Sequence, residues 1–509
     1  MNFIKRDLER RKYQLSIVDS AKDKNSLIVI PTGLGKTMIS IMLIDYRLSE
    51  YPDSKALFVA PTKPLINQHF RTFDEFVSLP LGIVSGSVSK EKRKKVYDES
   101  RVVFATPQTI ENDLKNEVLN LEDFSILIVD EAHHAIGNYS YVRIADSFLH
   151  TSKHPNIIAL TASPASDHDK IITICRNLNI SNVEIRGEDD PDVKPYIKAK
   201  LVEELRVDLQ PELRALTESA KKVLDSYISS LKQSGFFKDT LNSRINRMSV
   251  LLLQKKLQGQ MIRGGRSFYT IRGIIATAKI LKIYHAINLI STQSLRAFEA
   301  FLEKIIKQGK SKTDKEIGKD PEIIQLYEKS KSLLSDGIEH PKLSLLKNIL
   351  ESQLKGSERA IVFTQYRDTA DVIEKMLGSC PNVHAVKFIG QGKKGLTQKE
   401  QIATVRDFEA GVYNALISTS VSEEGISIKG VDLAVFYETI PSGIRSIQRR
   451  GRVGRFNVGR VYVLITNDTN DEGYYWISKR KEKRMKNIVQ KIKENPSLIK
   501  NDGTLKPFT

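Results

Sequence analysis

Apolar residues follow two different rhythms along this 509-residue chain. Short unbroken aliphatic runs occupy residues 27–30, 56–60, 101–105, 124–129 and 156–160, and three more occupy 359–364, 415–420 and 431–436. Runs this short without polar alternation predict strands buried on both faces, as in a parallel sheet covered by helices. Between the two groups the rhythm changes. Leu213, Leu216, Ala220, Val223, Leu224 and Tyr227 recur at i, i+3, i+4 spacing, and proline is scarce from Pro211 to Pro321. That pattern predicts helices. The expected fold class is α/β, with two parallel-sheet domains and a mostly helical insert between them. Expected divisions are 1–203 for the first domain, 204–335 for the insert, 336–480 for the second domain and 481–509 for a basic tail. A Gly/Lys-rich stretch, 307–320, reads as a mobile loop, and the basic run 90–95 as a solvated helix face.

The first apolar run opens into Pro31-Thr-Gly-Leu-Gly-Lys-Thr37, and a helical pattern follows it. Gly33 and Gly35 allow backbone N–H groups to turn inward around phosphate oxygens, because no Cβ blocks the approach. Lys36 brings a point charge to the β- and γ-phosphates, and the Thr37 hydroxyl is placed to ligate Mg²⁺. Ile30 stands where the general motif has its first glycine. Upstream, Gln14 can both donate to and accept from an adenine edge, with Tyr13 as apolar support.

The run 124–129 ends in Asp130-Glu-Ala-His133. Tandem carboxylates beyond a buried strand are costly unless a metal or substrate compensates them. Asp130 is expected to hold Mg²⁺ beside Thr37, and Glu131 to orient and deprotonate a water. Thr161 and Ser163 are placed to connect the γ-phosphate region to a nucleic-acid cleft. Strand ends carrying Thr62-Lys63 and Thr106, and Thr364 in the second domain, suit contact with a sugar–phosphate backbone. In Gln448-Arg-Arg-Gly-Arg-Val-Gly-Arg455, Arg452 and Arg455 share one helical face. Arginines crowded this closely repel one another unless they face an anion, which fits neutralisation of a transferred phosphoryl group.

Charge changes the picture further. Net charge is +18, a bias toward polyanionic partners. From Thr240 to Phe298 there is no Asp or Glu, yet ten basic residues appear: Arg244, Arg247, Lys255, Lys256, Arg263, Arg266, Arg272, Lys279, Lys282 and Arg296. A one-signed run implies a counterpart elsewhere, and a duplex backbone supplies one. Only two cysteines occur, Cys175 and Cys380, which fits a reducing, cytoplasmic setting. No apolar run approaches the roughly 18 residues of a membrane span, so no membrane partner is expected.

The set Tyr13-Gln14, Pro31 to Thr37, Asp130 to His133 and Thr161 to Ser163 resembles the first motor domain of a superfamily 2 helicase. With Ser420-Val-Ser-Glu-Glu-Gly-Ile426, the stretch from Pro441 to Arg455 and the helical insert, the resemblance extends over roughly residues 5–480. It is to the archaeal Hef helicases, which are similar to the Fanconi anaemia M protein and more distantly to RIG-I-like helicases and Dicer. The resemblance implies two RecA-like domains, ATP and Mg²⁺ as cofactors, and action on forked or four-way junction DNA in repair. It implies Arg11 with Gln14 on adenine, and Thr32, Gly33, Leu34, Gly35, Lys36, Thr37 and Gly425 around the nucleotide. Gln448, Arg452 and Arg455 complete the site, and Arg244, Arg247, Arg263, Arg266 and Arg272 of the insert grip DNA. Alanine at position 132 resembles the DNA-acting branch. No acidic-plus-Glu-Arg-Lys cluster follows, so nuclease activity is not expected in this stretch. A separate nuclease is a candidate partner, as is a sliding clamp, because Leu505 and Phe508 resemble part of a clamp-binding peptide. Two rivals remain: an ATPase stimulated by double-stranded RNA, and an ATP-regulated junction scaffold.

Overall fold

Parallel strands cannot turn back on themselves, so each apolar run here is followed by a helix that returns the chain to the starting edge. The computed structural model describes residues 3–5, 10–162, 168–188, 190–196, 200–236, 245–264, 267–390, 395–419, 428, 431–439 and 459–494. In the first lobe the strands are β1 (Ser26–Val29), β2 (Lys55–Val59), β3 (Leu81–Val84), β4 (Val102–Ala105), β5 (Phe124–Val129), β6 (Ile157–Thr161) and β7 (Asn182–Ile185). They form a parallel sheet in the order β3-β4-β2-β5-β6-β1-β7. Helices α1 (Lys12–Ala21), α2 (Lys36–Glu50), α3 (Lys63–Phe76), α4 (Lys90–Glu99), α5 (Pro107–Lys115), α6 (Ser140–Thr151) and α7 (His168–Asn177) flank it. Alternate strand residues feed opposite faces. Leu27, Leu57, Val103 and Leu127 enter one core, while Ile28, Phe58, Phe104 and Ile128 enter the other.

The second sheet runs β10-β11-β9-β12-β13-β8, also parallel. Its strands are β8 (Lys200–Val207), β9 (Ala360–Phe363), β10 (Ala385–Phe388), β11 (Ala415–Ser418), β12 (Leu433–Phe436) and β13 (Gly459–Thr466). Here the expected division at 203/204 fails, because it cuts through β8, which pairs with β13 along its whole length. As an edge strand with Leu201 and Val202 exposed, β8 lacks the all-apolar signature of its neighbours.

Between β8 and β9 lie α8 (Pro211–Gln233), α9 (Arg247–Ile262), α10 (Phe268–Asn288), a π-helical turn (Leu289–Gln293), α11 (Leu295–Gln308), α12 (Lys312–Ile317) and α13 (Pro321–Ser335). They share one core built on Leu216, Ile280, Leu295, Phe298 and Leu326. The stretch expected as a mobile loop instead contains α12, anchored by buried Ile317 and by Asp314 on Lys282. Contrary to the membrane expectation, residues Phe268–Gln293 are long and apolar enough for a span by length and composition; they form the central helix of this bundle. The basic run on α4 is likewise not wholly solvated: Arg93 is buried, its Nε 2.9 Å from Asp113.

The bundle is joined to the second lobe by buried polar contacts. Tyr437 donates its hydroxyl to the Gln293 carbonyl at 2.5 Å, and Thr369 donates to the Gln293 side chain at 3.1 Å. Helices α14 (Pro341–Gln353), α15 (Arg367–Leu377) and α16 (Gln398–Glu409) complete the lobe. Lys342, fully buried in α14, ion-pairs with Asp471 and donates to the Thr292 carbonyl at 3.2 Å. Asp471 opens α17 (Asn470–Glu494), which crosses the expected 480/481 division and buries Ile488 in a core of the first lobe. Its length was hidden by a charged surface.

Candidate functional site

The site forms where β1 and β5 end side by side across β6, the place where ligands collect in open α/β sheets. Gly33 and Gly35 take φ of +92° and +80°, values that a Cβ would strain. A Cβ on Gly35 would also lie 2.4 Å from Gln14 Nε2. The loop then enters α2 at Lys36, so the first N–H groups of a 15-residue helix face the loop's concavity.

Lys36 Nζ stands 3.8 Å from Glu131 Oε1. Glu131 itself adopts a left-handed conformation (φ 48°, ψ 50°), unusual for a residue with a side chain. His133 Nδ1 lies 3.3 Å from Glu131 Oε2 and 3.4 Å from Thr161 Oγ1, so the end of β6 is tied to the carboxylate. Thr161 thus lies beside the Asp-Glu strand end; Ser163 lies outside the described residues.

A residue the sequence reading missed joins the other pair. His69 of α3 is buried against Phe58, with ring centroids 4.5 Å apart. Its Nε2 lies 2.8 Å from Asp130 Oδ2, and its Nδ1 lies 3.2 Å from Thr37 Oγ1. The tautomer with Nε2–H donating to the carboxylate leaves Nδ1 to accept the Thr37 hydroxyl, which satisfies both contacts. One signal existed in the sequence: His69 follows Leu65 and Ile66 on the apolar face of its helix and precedes Phe73. Asp130 is 2% exposed, and its Oδ1 is buried with no hydrogen-bond partner among the described residues. An anionic oxygen left open, with the Thr37 hydroxyl on the far side of the His69 ring, offers hard oxygen donors of the kind that suit Mg²⁺.

Gln14 departs from its expected role. It is 2% exposed; Nε2 donates to the Leu34 carbonyl at 3.2 Å, and Oε1 accepts from the Arg11 N–H at 3.2 Å. Tyr13 donates to the same carbonyl at 2.6 Å. Both polar ends of Gln14 are engaged, so it braces the phosphate loop instead of offering a free edge to adenine. Arg11 packs its guanidinium 5.0 Å from the centre of the Tyr196 ring.

The expected nucleic-acid residues divide. Thr62 and Thr106 sit at the N-caps of α3 and α5, beyond the carboxyl ends of β2 and β4, and Lys63 is exposed. Thr364 is contradicted: it is fully buried and its hydroxyl donates to Glu438 at 3.1 Å. Arg247, Arg263 and Arg272 are exposed on α9, its C-cap and α10. Arg247 lines a cavity of about 520 Å³ with Tyr284, Tyr366 and Glu438. Arg244, Arg266, Gly425, Gln448, Arg452, Arg455, Leu505 and Phe508 lie outside the described residues.

Comparison with known families follows the same division. Residues 4–166 match the model "Type III restriction enzyme, res subunit", residues 211–332 "Putative ATP-dependent RNA helicase, helical bundle", and residues 341–457 "Helicase conserved C-terminal domain". Two parallel-sheet lobes, a phosphate loop facing an Asp-Glu strand end and a bundle between the lobes define the core of a superfamily 2 helicase. The solved Hef helicase domain of Pyrococcus furiosus is 40% identical to this chain, with a TM-score of 0.69 over 94% of this chain and 100% of that one. The chain belongs to the Hef helicase family. It is also 38% identical to a "Putative ATP-dependent RNA helicase" of Methanocaldococcus jannaschii, over 95% of this chain and 61% of the relative. The "ATP-dependent DNA helicase mph1" of Sclerotinia sclerotiorum is 32% identical over 91% of this chain and 40% of the relative. The chain thus spans 61% or less of the length of these two relatives.

Proposed function

We propose that this chain hydrolyses ATP to move along and open DNA at forks and four-way junctions, inside the cell. The observation that carries the reading is the phosphate loop set against Asp130 and Glu131, with Asp130 Oδ1 buried and open. Loop N–H groups around Gly33 and Gly35 bind the β- and γ-phosphates, and Lys36 exchanges its contact with Glu131 for phosphate oxygens. Thr37 and Asp130 would hold Mg²⁺, which when bound offsets charge on the phosphate oxygens. His69 keeps those two ligands aligned. Glu131 orients the attacking water and takes its proton on the carboxylate, while His133 holds that carboxylate toward Thr161. From the second lobe Gln448, Arg452 and Arg455 complete the site, as the family resemblance implies, and a guanidinium at that seam is worth roughly 10³–10⁵ in rate.

DNA as the substrate is supported by the basic bundle and by the name of the Sclerotinia sclerotiorum relative. The word RNA in the names of the Methanocaldococcus jannaschii relative and of the helical-bundle family keeps a second reading, an ATPase stimulated by double-stranded RNA. Measuring ATP turnover with forks, four-way junctions, plain duplex, single strands and double-stranded RNA separates them; stimulation by RNA alone sinks the DNA reading. Lys36→Ala should lower hydrolysis by roughly 10²-fold or more and leave fork binding intact. Full turnover in that variant refutes the site.

A further inference from the structure

The arm formed by α9 and α10 has opposite characters at its two ends. Toward its root two cations are matched by protein acids: Lys279 lies 3.7 Å from Glu316 and Lys282 pairs with Asp314, while Arg296 of the adjoining α11 lies 3.9 Å from Glu339 and Arg247 at the start of α9 has no ion pair among the described residues. The single-signed run is therefore neutralised on one side from within, which corrects the expectation that nucleic acid must balance all of it. Farther out, Lys255, Lys256, Arg263 and Arg272 are exposed and have no ion pair among the described residues. The acids of α12 do not reach them.

Exposed apolar surface gathers on the same arm. Ile262 is 83% exposed, Phe268 74%, Met248 63% and Leu252 61%, the four highest values among the large apolar side chains described. Met248, Leu252, Lys255 and Ile262 recur at helical spacing and share one face of α9. The scaffold beneath them is firm. Val250 and Leu257 are buried, Tyr269 stacks on Phe236 at 4.3 Å, and Gly273 permits that packing, since a Cβ there would lie 2.5 Å from the Phe236 ring. The apolar tip is thus held outward on a braced hairpin, with the Arg272 guanidinium 5.7 Å from the centre of the Phe268 ring.

An apolar tip bordered by unmatched cations, in a stretch without acids, complements one occupant well: nucleic acid at a branch, where bases are unstacked and phosphates lie close by. We infer that this tip is a branch-point wedge, with Ile262 and Phe268 pressing on the first unstacked bases while Lys255, Lys256, Arg263 and Arg272 hold flanking phosphates. The inference rests on the DNA reading above and adds to it the place where the duplex is opened.

A fork carrying 2-aminopurine at its first base pair tests this without nucleotide. The fluorescent base brightens on binding the wild-type chain as it loses its stacking neighbour. Ile262→Ala with Phe268→Ala should keep the melting temperature and the ATPase rate without DNA, and should weaken fork binding by about tenfold, so the brightening is compared at saturating protein. That variant should lose most of the brightening and unwind about tenfold more slowly. Lys255→Ala with Lys256→Ala should lower the salt slope of binding by about two and keep the full brightening at saturation. Undiminished brightening in the Ile262/Phe268 variant overturns the wedge, as does a wild-type dimer that this variant abolishes, since the patch would then be a protein interface. If the wild-type chain shows no fork-stimulated ATPase but still brightens the probe, the wedge stands and the motor reading falls.

Discussion

Two buried polar networks stand in contrast. At the phosphate loop, His69 bridges Thr37 and Asp130 yet leaves Asp130 Oδ1 without a partner among the described residues, and Lys36 reaches Glu131 only at 3.8 Å. At the joint between bundle and second lobe, Lys342 closes on Asp471 and the Thr292 carbonyl. Asp471 also accepts from the Thr466 N–H at 3.2 Å. The charges of Lys342 and Asp471 are matched by each other and by the backbone, whereas the loop keeps a charge in reserve. A network that closes on itself fixes shape, and one that leaves an anionic oxygen open is built for a ligand.

Removing one partner from the joint should have the largest effect. Asp471→Ala strands the Lys342 ammonium in a site with no exposure and is expected to cost about 3–5 kcal/mol. Thermal unfolding reads this, and a loss under about 1 kcal/mol would show that water reaches the pair. At the phosphate loop the corresponding change should spare the fold and weaken the ligand. His69→Ala is expected to shift the Mg²⁺ midpoint for nucleotide binding by about 10–100-fold. An unmoved midpoint would reduce His69 to packing.

Acid sharpens the same contrast. His340 joins α14 to the π turn, its Nε2 3.2 Å from the Ser291 carbonyl, and complete burial lowers its pKa to about 3. A histidine held neutral in the fold but free to protonate when unfolded costs stability once pH falls below its ordinary value of 6.5. The loss grows until pH nears 3. Between pH 6.5 and 5 it amounts to about 2 kcal/mol. His340→Asn, which can still cap α14, should flatten the stability profile over that interval. An equally steep profile in the variant would assign the acid sensitivity to other groups.

What was legible in the sequence follows from how far apart the partners lie. The loop from Pro31 to Thr37 and the Asp130-Glu131 pair are short contiguous strings, so residue type and spacing carry their chemistry. His69 was hidden because its partners lie 32 and 61 residues away. The Lys342–Asp471 pair spans 129 residues and left no local trace. β8 was missed because a half-exposed edge strand lacks the aliphatic run that betrays a buried one. The charge of the insert was overread because Asp314, which matches Lys282, comes 32 residues later. The grip of Gln14 on the Leu34 carbonyl was not legible because an amide that can read a base can equally well hold a carbonyl.

Helix α17 begins at a buried aspartate of one lobe and plants Ile488 in the other. Between those two points run 17 residues, about 26 Å at 1.5 Å each. A rod pinned at both ends limits travel. Any parting of the two lobes must bend this helix or draw Ile488 out of its socket.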